Sequence, residues 1–199
     1  SGAASVTGIG DPEEVPTLWV TSEILPALGV QPMLGRWFSS ADDSPEGAET
    51  IVLTHDYWQR RLGADSQVIG RVITVDSRPR EVIGVMPQGY DFPTPDAELW
   101  TSLQLDPAST NFGGHYIAGM ARLAPGVTIE AAVADARSLV ARFGEVGYGP
   151  QWFQGVYDGG AVVRPMRDVI VGETREPLLI VFATVGFVLL IACSNVANL

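Results

Sequence analysis

Apolar residues that recur every three or four positions predict two well-bounded helices in this chain. The clearest pattern covers residues 128–143, where it predicts an amphipathic helix with Thr128 as the N-cap and Gly144 just past its end. A shorter pattern predicts a second helix, with Thr54 as the N-cap and Gly63 as the residue that ends it. Each helix would bury one apolar face against other elements.

A third, very short helix is predicted near the start of the chain. Residues 15–21 have the composition of a strand, and Ser22 follows them as a candidate N-cap. Gly29 then ends the helix after a few residues. Residues 1–15 are small and polar, so we expect a frayed strand or coil there.

Short runs of β-branched and aromatic residues predict the strands. Residues 51–53 form a short buried run, and residues 71–76 and 80–86 flank a turn and predict a hairpin. Further strands are predicted at residues 116–123 and 161–166.

Residues 88–115 lack a regular pattern and are rich in Pro, Gly, Asp and Thr. Their length favours an inserted lobe or a long loop. The predicted order is therefore β-α-β-α-β-β, an irregular lobe, and then β-α-β. Strands that alternate with helices in this way predict an α+β fold built from split βαβ, ferredoxin-like units.

The end of the chain, residues 177–199, contains no charged side chain. A membrane-spanning helix needs about 20 apolar residues, so the segment predicts a transmembrane helix that begins at Pro177 and is cut short at its far end. The alternative is a buried core helix, but the segment has no amphipathic stripe. Asn195 and Asn198 mark either the interfacial end of the span or a hydrogen-bonded contact with neighbouring helices.

Charge and composition exclude several classes of protein. The chain carries 23 acidic and 12 basic residues, for a net charge of −11, and every basic residue is Arg. This acidic balance lacks the basic surface that nucleic acids require. The absence of Lys excludes a P-loop, whose Lys contacts the nucleotide phosphates. Cys193 is the single cysteine, so neither an internal disulfide nor a CxxC metal site is present.

The motifs of this chain predict no catalytic, cofactor-binding or metal-binding residue. His55 and Asp56 beside Thr54 resemble part of a hydrolase site, but they also suit an ordinary helix N-terminus, and His115 is far away in sequence. The polar stretch at 39–50 is expected to be a solvated acidic loop. A calcium site is the weaker reading of its carboxylates, Asp42, Asp43, Glu46 and Glu49.

Other prominent residues favour structural roles. Core or subdomain contacts are expected for Trp37, Trp58, Trp100 and Trp152, with a groove for an apolar substrate as the alternative. Surface ion pairs are expected for Arg36 and Arg71. Turns or close backbone approaches are expected at Gly29, Gly35, Gly63 and Gly70.

Eight stretches together resemble one protein family, in the correct order along residues 15–199. They are SEILPALGV (22–30), PMLGRWF (32–38), IVLT (51–54), WQRRLG (58–63), VIGR (68–71), VIGVMP (82–87), ARLAPGVT (121–128) and ACSNVANL (192–199). The chain resembles the MacB-like periplasmic domain of bacterial ABC transporter permeases, in the FtsX-like permease group.

The resemblance implies a domain plan and a location. Residues 1–176 would form a porter-type periplasmic domain with its irregular lobe at about 88–115, and residues 177–199 would form the following transmembrane helix. The membrane would be the bacterial cytoplasmic (inner) membrane, with residues 1–176 outside the cytoplasm. Arg164, Arg167 and Arg175 argue weakly for the opposite orientation, and the resemblance overrides them.

The resemblance also implies a function and partners. The chain would couple ATP-driven motion of a partner ABC ATPase to export, efflux or periplasmic work, and ATP would bind the ATPase and not this chain. A second permease copy or duplicated half, a periplasmic adaptor and the lipid bilayer are the other expected partners; nucleic acid is not. The alternatives are a single-pass anchored ligand-binding or sensor ectodomain and, with little support, a membrane-anchored hydrolase.

Overall fold

The computed structural model describes residues 2–106, 108, 117–143 and 161–197. The chain divides into two compact units. The first, residues 1–122, is called the sheet unit here, and the second, residues 123–199, is called the helix unit. The predicted Gly144, Tyr116, His115, Trp152 and Asn198 lie outside the described residues.

The sheet unit is built on one mixed sheet whose described part has seven strands. They are Gly2–Thr7 (β1), Glu13–Val20 (β2), Leu34–Gly35 (β3), Thr50–Leu53 (β4), Val72–Val75 (β5), Arg78–Val85 (β6) and Leu99–Ser102 (β7). Six of them pair in the order β6-β4-β7-β2-β1-β5, and β5 pairs again with β6, so the hydrogen-bonded ring closes. The short β3 pairs with residues 84–85 of β6, whereas β5 pairs with residues 78–81 of the same strand.

Two pairs in this sheet are parallel, β2 with β7 and β4 with β6, and the remaining pairs are antiparallel. The members of each parallel pair are direct neighbours, whereas a split βαβ unit places another strand between them. The structure therefore supports a mixed α/β fold, and the ferredoxin-like detail of the prediction stays unconfirmed. The hairpin predicted around residues 77–79 is confirmed as β5 and β6.

Two short helices accompany the sheet, and their ends test the capping predictions. Helix α2, His55–Leu62, begins after Thr54, whose hydroxyl accepts a hydrogen bond from the Tyr57 N–H, and it ends at left-handed Gly63, as predicted. Helix α1, Ile24–Leu28, ends at Gly29 as predicted, but its N-cap is Glu23 and no side chain caps it. The prediction of Ser22 as the N-cap is wrong. The Ser22 N–H donates to the Asp43 carboxylate and the Ser22 carbonyl accepts from the Trp37 indole, so the Ser22 backbone is held by the loop that follows β3.

Each face of the sheet carries its own apolar cluster, because neighbouring residues on a strand point to opposite sides. Ile51, Leu53 and Leu99 belong to the cluster that includes the α2 residues Tyr57 and Trp58. The opposite cluster holds the alternate strand residues and part of α1, including Leu18, Leu25, Val52, Ile83 and Trp100. All of these side chains are buried, so the sheet unit has a core of its own.

Strand β7 corrects the prediction of an irregular lobe at residues 88–115. Residues 99–102 pair in parallel with β2 and antiparallel with β4, so this strand lies in the middle of the sheet. All four of its side chains are buried. The stretch was predicted to be irregular because four residues are too few to show a period, and the two strands that flank β7 are distant in sequence.

Gly35 shows why a glycine is required where β3 meets β6. Gly35 has φ of 70° and is the register partner of Gly84. A Cβ on Gly35 would overlap the carbonyl oxygen of Ile83, and one on Gly84 would overlap that of Arg36. The two backbones therefore approach too closely for any side chain. The other predicted turn glycines, Gly29, Gly63 and Gly70, also have positive φ.

The helix unit contains the amphipathic helix α3 and the long helix α4 in its described residues. Helix α3 spans Ile129–Phe143 as predicted, and the Thr128 hydroxyl accepts a hydrogen bond from the Ala131 N–H. The strand predicted at 161–166 is wrong, because residues 161–165 have no regular structure and a helix begins at Met166. The strand prediction at 116–123 is wrong over 117–123, which lie partly in each unit and form no strand.

Candidate functional site

Helix α4 is the most distinctive feature of the helix unit. It runs unbroken over Met166–Ala197, so it is about 48 Å long at roughly 1.5 Å per residue. Its segment Pro177–Ser194 is apolar and long enough to cross a membrane, and no other helix in the described part of the chain qualifies. The large apolar side chains there are well exposed, with Phe182 at 72% and Phe187 at 68%. Such a surface is stable in lipid and not in water.

The start of α4 corrects the sequence prediction. The carbonyl of Pro165 accepts hydrogen bonds from the N–H groups of Asp168 and Val169, so the helix begins eleven residues before Pro177. Proline is favoured at a helix start, and Pro165, not Pro177, has that role here. Pro177 lies inside the helix. Cys193 is exposed on the apolar segment.

An ion-paired clamp occupies the loop predicted to be solvated and acidic. The Asp42 carboxylate accepts hydrogen bonds from the Arg36 guanidinium at 2.6 and 3.1 Å and from the backbone and hydroxyl of Ser39. Its side chain is only 6% exposed. The Arg36 hydrogen bond, aided by Ser39, lowers the pKa of Asp42 to about 2. Asp42 is therefore a buried structural anion, and the solvated-loop prediction is wrong for it.

The neighbouring carboxylate, Asp43, ties the same loop to two distant segments. One oxygen accepts the Ser22 N–H at 2.8 Å and the other accepts the Gln104 N–H at 3.0 Å. Gln104 in turn donates its side-chain amide to the carbonyls of Asp42 and Ala48. These contacts join the loop to the start of α1 and the end of β7, so Asp43 has a structural role too.

Glu49, the last carboxylate of this loop, is engaged with two arginines. Glu49 pairs with Arg78 at 2.8 Å and with Arg80 at 2.9 Å. Arg80 is buried, and desolvation lowers the pKa of its guanidinium. Its guanidinium also donates to the Thr101 hydroxyl. Asp42 and Glu49 are thus paired with arginines, and Asp43 accepts backbone hydrogen bonds. The described residues contain no group of three or more side chains placed to hold a metal ion.

The trio Thr54, His55 and Asp56 does not form a nucleophile and base pair. The Thr54 hydroxyl is engaged with the Tyr57 N–H as the helix cap. His55 contacts the Asp56 carboxylate at 3.2 Å through Nδ1, and its ring packs edge-on against Trp58. The geometry is that of an ordinary helix N-terminus.

A cavity of about 570 Å³ opens beside this helix start. Its walls come from Pro16 of β2, from the start of α2, from the loop after β6 and from the segment before β7. Asp56, Asp91, Asp96 and Glu98 line it, with Arg60 as the charged counterpart. Glu98 pairs with Arg60 at 2.5 Å. No sequence motif indicated this cavity, because its walls come from segments that are far apart along the chain.

Three of the four tryptophans singled out from the sequence lie among the described residues, and all three contribute to the core. Trp58 and Trp100 are buried, and Trp37 packs edge-on against Trp100 with its Nε1 donating to the Ser22 carbonyl. The structural prediction is confirmed for these three. For the arginines, the expected ion pair forms at Arg36, whereas Arg71 has no ion pair within the described residues.

Comparisons with known proteins identify similar sequences and folds over most of the chain. Residues 1–139 match the family model of the MacB-like periplasmic core domain. The periplasmic region of MacB from Actinobacillus actinomycetemcomitans is similar in structure, with a TM-score of 0.52 and 14% identity over 71% of this chain and 63% of that one. At this identity the likeness shows the fold alone.

A second solved structure is the extracellular domain of the noncanonic ABC-type transporter YknZ from Gram-positive bacteria. It gives a TM-score of 0.42 and 16% identity over 51% of this chain and 50% of that chain. The chain thus spans between half and two thirds of the length of these two solved relatives. The comparison with curated proteins gives no match.

Proposed function

Because the chain belongs to the family of MacB-like periplasmic core domains, we propose that it is the extracytoplasmic domain and following membrane helix of an ABC transporter permease. It would couple ATP-driven motion of a partner ATPase to export or to other periplasmic work. The observation that carries the proposal is a family domain over residues 1–139 followed by an apolar helix segment at Pro177–Ser194. The family consists of transporter domains and is not a class of enzymes.

The continuity of α4 supports a mechanical role. The helix continues from Met166 through Pro177 into the apolar segment, with one backbone hydrogen bond missing at Pro177, and the eleven residues before Pro177 measure about 16 Å. An unbroken helix transmits displacement and rotation, whereas a flexible linker absorbs both. Motion of the membrane segment would therefore reach the residues before α4.

Partners and location follow from the same proposal. An ABC ATPase subunit or domain would bind and hydrolyse ATP in the cytoplasm, and a second permease copy or duplicated half would complete the membrane part. A periplasmic adaptor is a further proposed partner. The membrane would be the bacterial inner membrane, with residues 1–176 outside the cytoplasm.

A ferredoxin-like split βαβ unit around α3 belongs to the proposal as well. Its support is the amphipathic pattern of α3. It would need pairing strands from outside the described residues. An experimental structure of the assembled transporter would test it, since a sheet is expected against the apolar face of α3, and an α3 with no strand packed on it would contradict the detail.

Breaking α4 above the membrane segment tests the proposed coupling. Val169→Gly with Ile170→Gly should uncouple ATP hydrolysis from export, because two glycines weaken the helix by about 2 kcal/mol. The matched variant, Val169→Ala with Ile170→Ala, removes the same exposed side chains and keeps the helix. Both variants are measured in the full transporter, by ATPase rate and by substrate release outside the cell.

The expected result is normal ATPase activity with export lost in the glycine variant and kept in the alanine variant. Equal export in the two variants would contradict coupling through α4. A gene that encodes no further span and no adjacent ATPase would favour the anchored sensor ectodomain instead.

A further inference from the structure

One carboxylate, Asp43, joins three segments of the sheet unit that are far apart in sequence. One of its oxygens accepts the N–H of Ser22, two residues before α1, and the other accepts the N–H of Gln104, two residues after β7. Asp43 itself lies in the polar loop at residues 39–48, which follows β3. We call this loop, together with residues 22–28, the latch. A single side chain thus connects the two parts of the latch and fixes both to the end of β7.

Gln104 is held in a strained backbone conformation where it meets the latch. Its φ is 47°, in the left-handed region that is unfavourable for a residue with a side chain. Its side-chain amide donates to the carbonyls of Asp42 and Ala48, so Gln104 donates three hydrogen bonds to the loop in all. A strained conformation of this kind persists only while the surrounding contacts impose it. Release of the loop would relieve the strain at Gln104, and this favours opening of the latch.

The latch has little regular structure of its own with which to resist opening. Helix α1 has five residues, of which only Leu25 is buried, and a helix of that length is not stable by itself. Residues 39–48 contain no helix or strand. Segments with few buried apolar contacts open locally at a lower free energy than the whole domain unfolds. The apolar cluster on the α2 side of the sheet includes no latch residue, so it can stay packed while the latch opens.

The latch also holds the last residue of the sheet unit. Arg122 ends that unit, and its Nε donates to the carbonyl of Ala27 in α1 at 2.6 Å. Gln104 and Arg122 lie near the two ends of the stretch that leads from β7 to the helix unit, residues 103–122. Both ends of this stretch are therefore attached to the latch, and a change in its path requires the latch contacts to change.

We propose that the latch is a conformational device that opens as one unit while the rest of the sheet unit stays folded, with Asp43 and Arg122 as the residues that hold it shut. Opening detaches residues 22–28 and 39–48 from each other and from Gln104. It thereby frees the stretch from β7 to the helix unit to take another path. The inference goes beyond the permease role and does not depend on it.

The labelling rates of two buried thiols measure this opening. Ser22→Cys places a thiol in the latch at a residue that is 7% exposed and is held through its backbone alone. Ala4→Cys places one in the cluster on the α2 side, at a residue that is 1% exposed, and reports unfolding of the whole unit. Each is made with Cys193→Ser in the full 199-residue chain, in micelles of an uncharged detergent. A water-soluble maleimide should label Ser22→Cys roughly 100-fold faster than Ala4→Cys, because local opening costs less than unfolding.

Substitutions at the two holding residues should accelerate labelling in the latch alone. Asp43→Asn is expected to raise the labelling rate of Ser22→Cys by about tenfold, because it weakens two hydrogen bonds to a charged acceptor. Arg122→Gln should raise that rate by about threefold, because it removes one exposed hydrogen bond. Neither substitution should change the labelling rate of Ala4→Cys.

The matched control is Asp65→Asn, which changes a carboxylate that accepts a backbone N–H in a turn outside the latch and should alter neither rate. The proposal is overturned if the two thiols are labelled equally fast, if Asp43→Asn leaves the rate of Ser22→Cys unchanged, or if it accelerates both thiols equally. An unchanged rate in Arg122→Gln would overturn the role of that residue. The comparison of the two thiols alone decides the matter if Asp43→Asn fails to fold. No ATPase is present in the assay, so its outcome is independent of the coupling experiment.

Discussion

The sheet unit and the helix unit place their apolar side chains in opposite surroundings. In the sheet unit, Leu53 and Trp100 are at most 1% exposed and lie in clusters on the two faces of a closed ring of strands. In α4, by contrast, Phe182 and Phe187 are 72% and 68% exposed. One unit is stabilised by burial inside the protein, and the other requires burial in a lipid bilayer. The two should therefore respond to different changes.

Removing the largest fully buried side chain should have the largest effect on the sheet unit. Trp100→Ala is expected to lower the free energy of unfolding by about 3–5 kcal/mol, because it leaves a cavity in the middle of the sheet. Urea denaturation in detergent micelles measures the change. Phe187→Ala in α4 serves as the control and should leave this transition in place. Equal effects of the two substitutions would contradict the separate core of the sheet unit.

A charge in the apolar segment should act on the helix unit alone. Leu189→Arg is expected to disfavour membrane insertion by about 3 kcal/mol, since arginine at the centre of a span is costly. The matched variant, Leu105→Arg, changes an exposed leucine of the sheet unit and should insert normally. The inserted fraction, measured by glycosylation or protease protection, gives the comparison. Normal insertion of both variants would show that Pro177–Ser194 does not span the membrane.

Two single substitutions, one at Gly35 and one at Gly63, test the close approach of β3 and β6. Gly35→Ala should destabilise the sheet unit by roughly 2–3 kcal/mol, because the new methyl group overlaps the Ile83 carbonyl and the φ angle is positive. Gly63→Ala has a similar φ but meets nothing within 4 Å, so it should be destabilising by only about 1 kcal/mol. Urea midpoints measured for both variants provide the test. Identical values would show that backbone conformation alone explains the glycine at position 35.

The Asp42 clamp should make the sheet unit sensitive to acid. The pKa of Asp42 falls from 3.8 to about 2 in the folded chain, so its contribution is complete above pH 4 and is lost as the pH falls toward 2. The contribution is about 2 kcal/mol, since one pKa unit corresponds to about 1.4 kcal/mol. Asp42→Asn and Arg36→Gln should each flatten the stability profile between pH 4 and 2. An unchanged slope in either variant would argue against the clamp.

Local signals in the sequence were sufficient for the elements that depend on neighbouring residues. Helix α2 begins after Thr54 and ends at Gly63 as predicted, and the residues around 77–79 form the predicted hairpin. Both were predictable because caps and turns are determined within a few positions. The same holds for α3, whose period is long enough to be recognised.

Features that depend on distant partners were missed or misread. Strand β7 is identified only by its pairing with β2 and β4, and the burial of Asp42 depends on the fold around Arg36. Val162 and Val163 have strand-forming side chains, but residues 161–165 have no pairing strand among the described residues. The start of α4 was misplaced because both Pro165 and Pro177 satisfy the rule for a helix N-terminus.

The accessibility of one cysteine in each unit tests the central claim of an extracytoplasmic domain on a membrane helix. Ser66 is exposed in the sheet unit, and Cys193 is the only native cysteine. In intact spheroplasts, a membrane-impermeant maleimide should label Ser66→Cys combined with Cys193→Ser, and it should leave wild-type Cys193 unlabelled until detergent dissolves the bilayer. Labelling of Ser66→Cys only after lysis, or ready labelling of Cys193 in intact spheroplasts, would contradict the account.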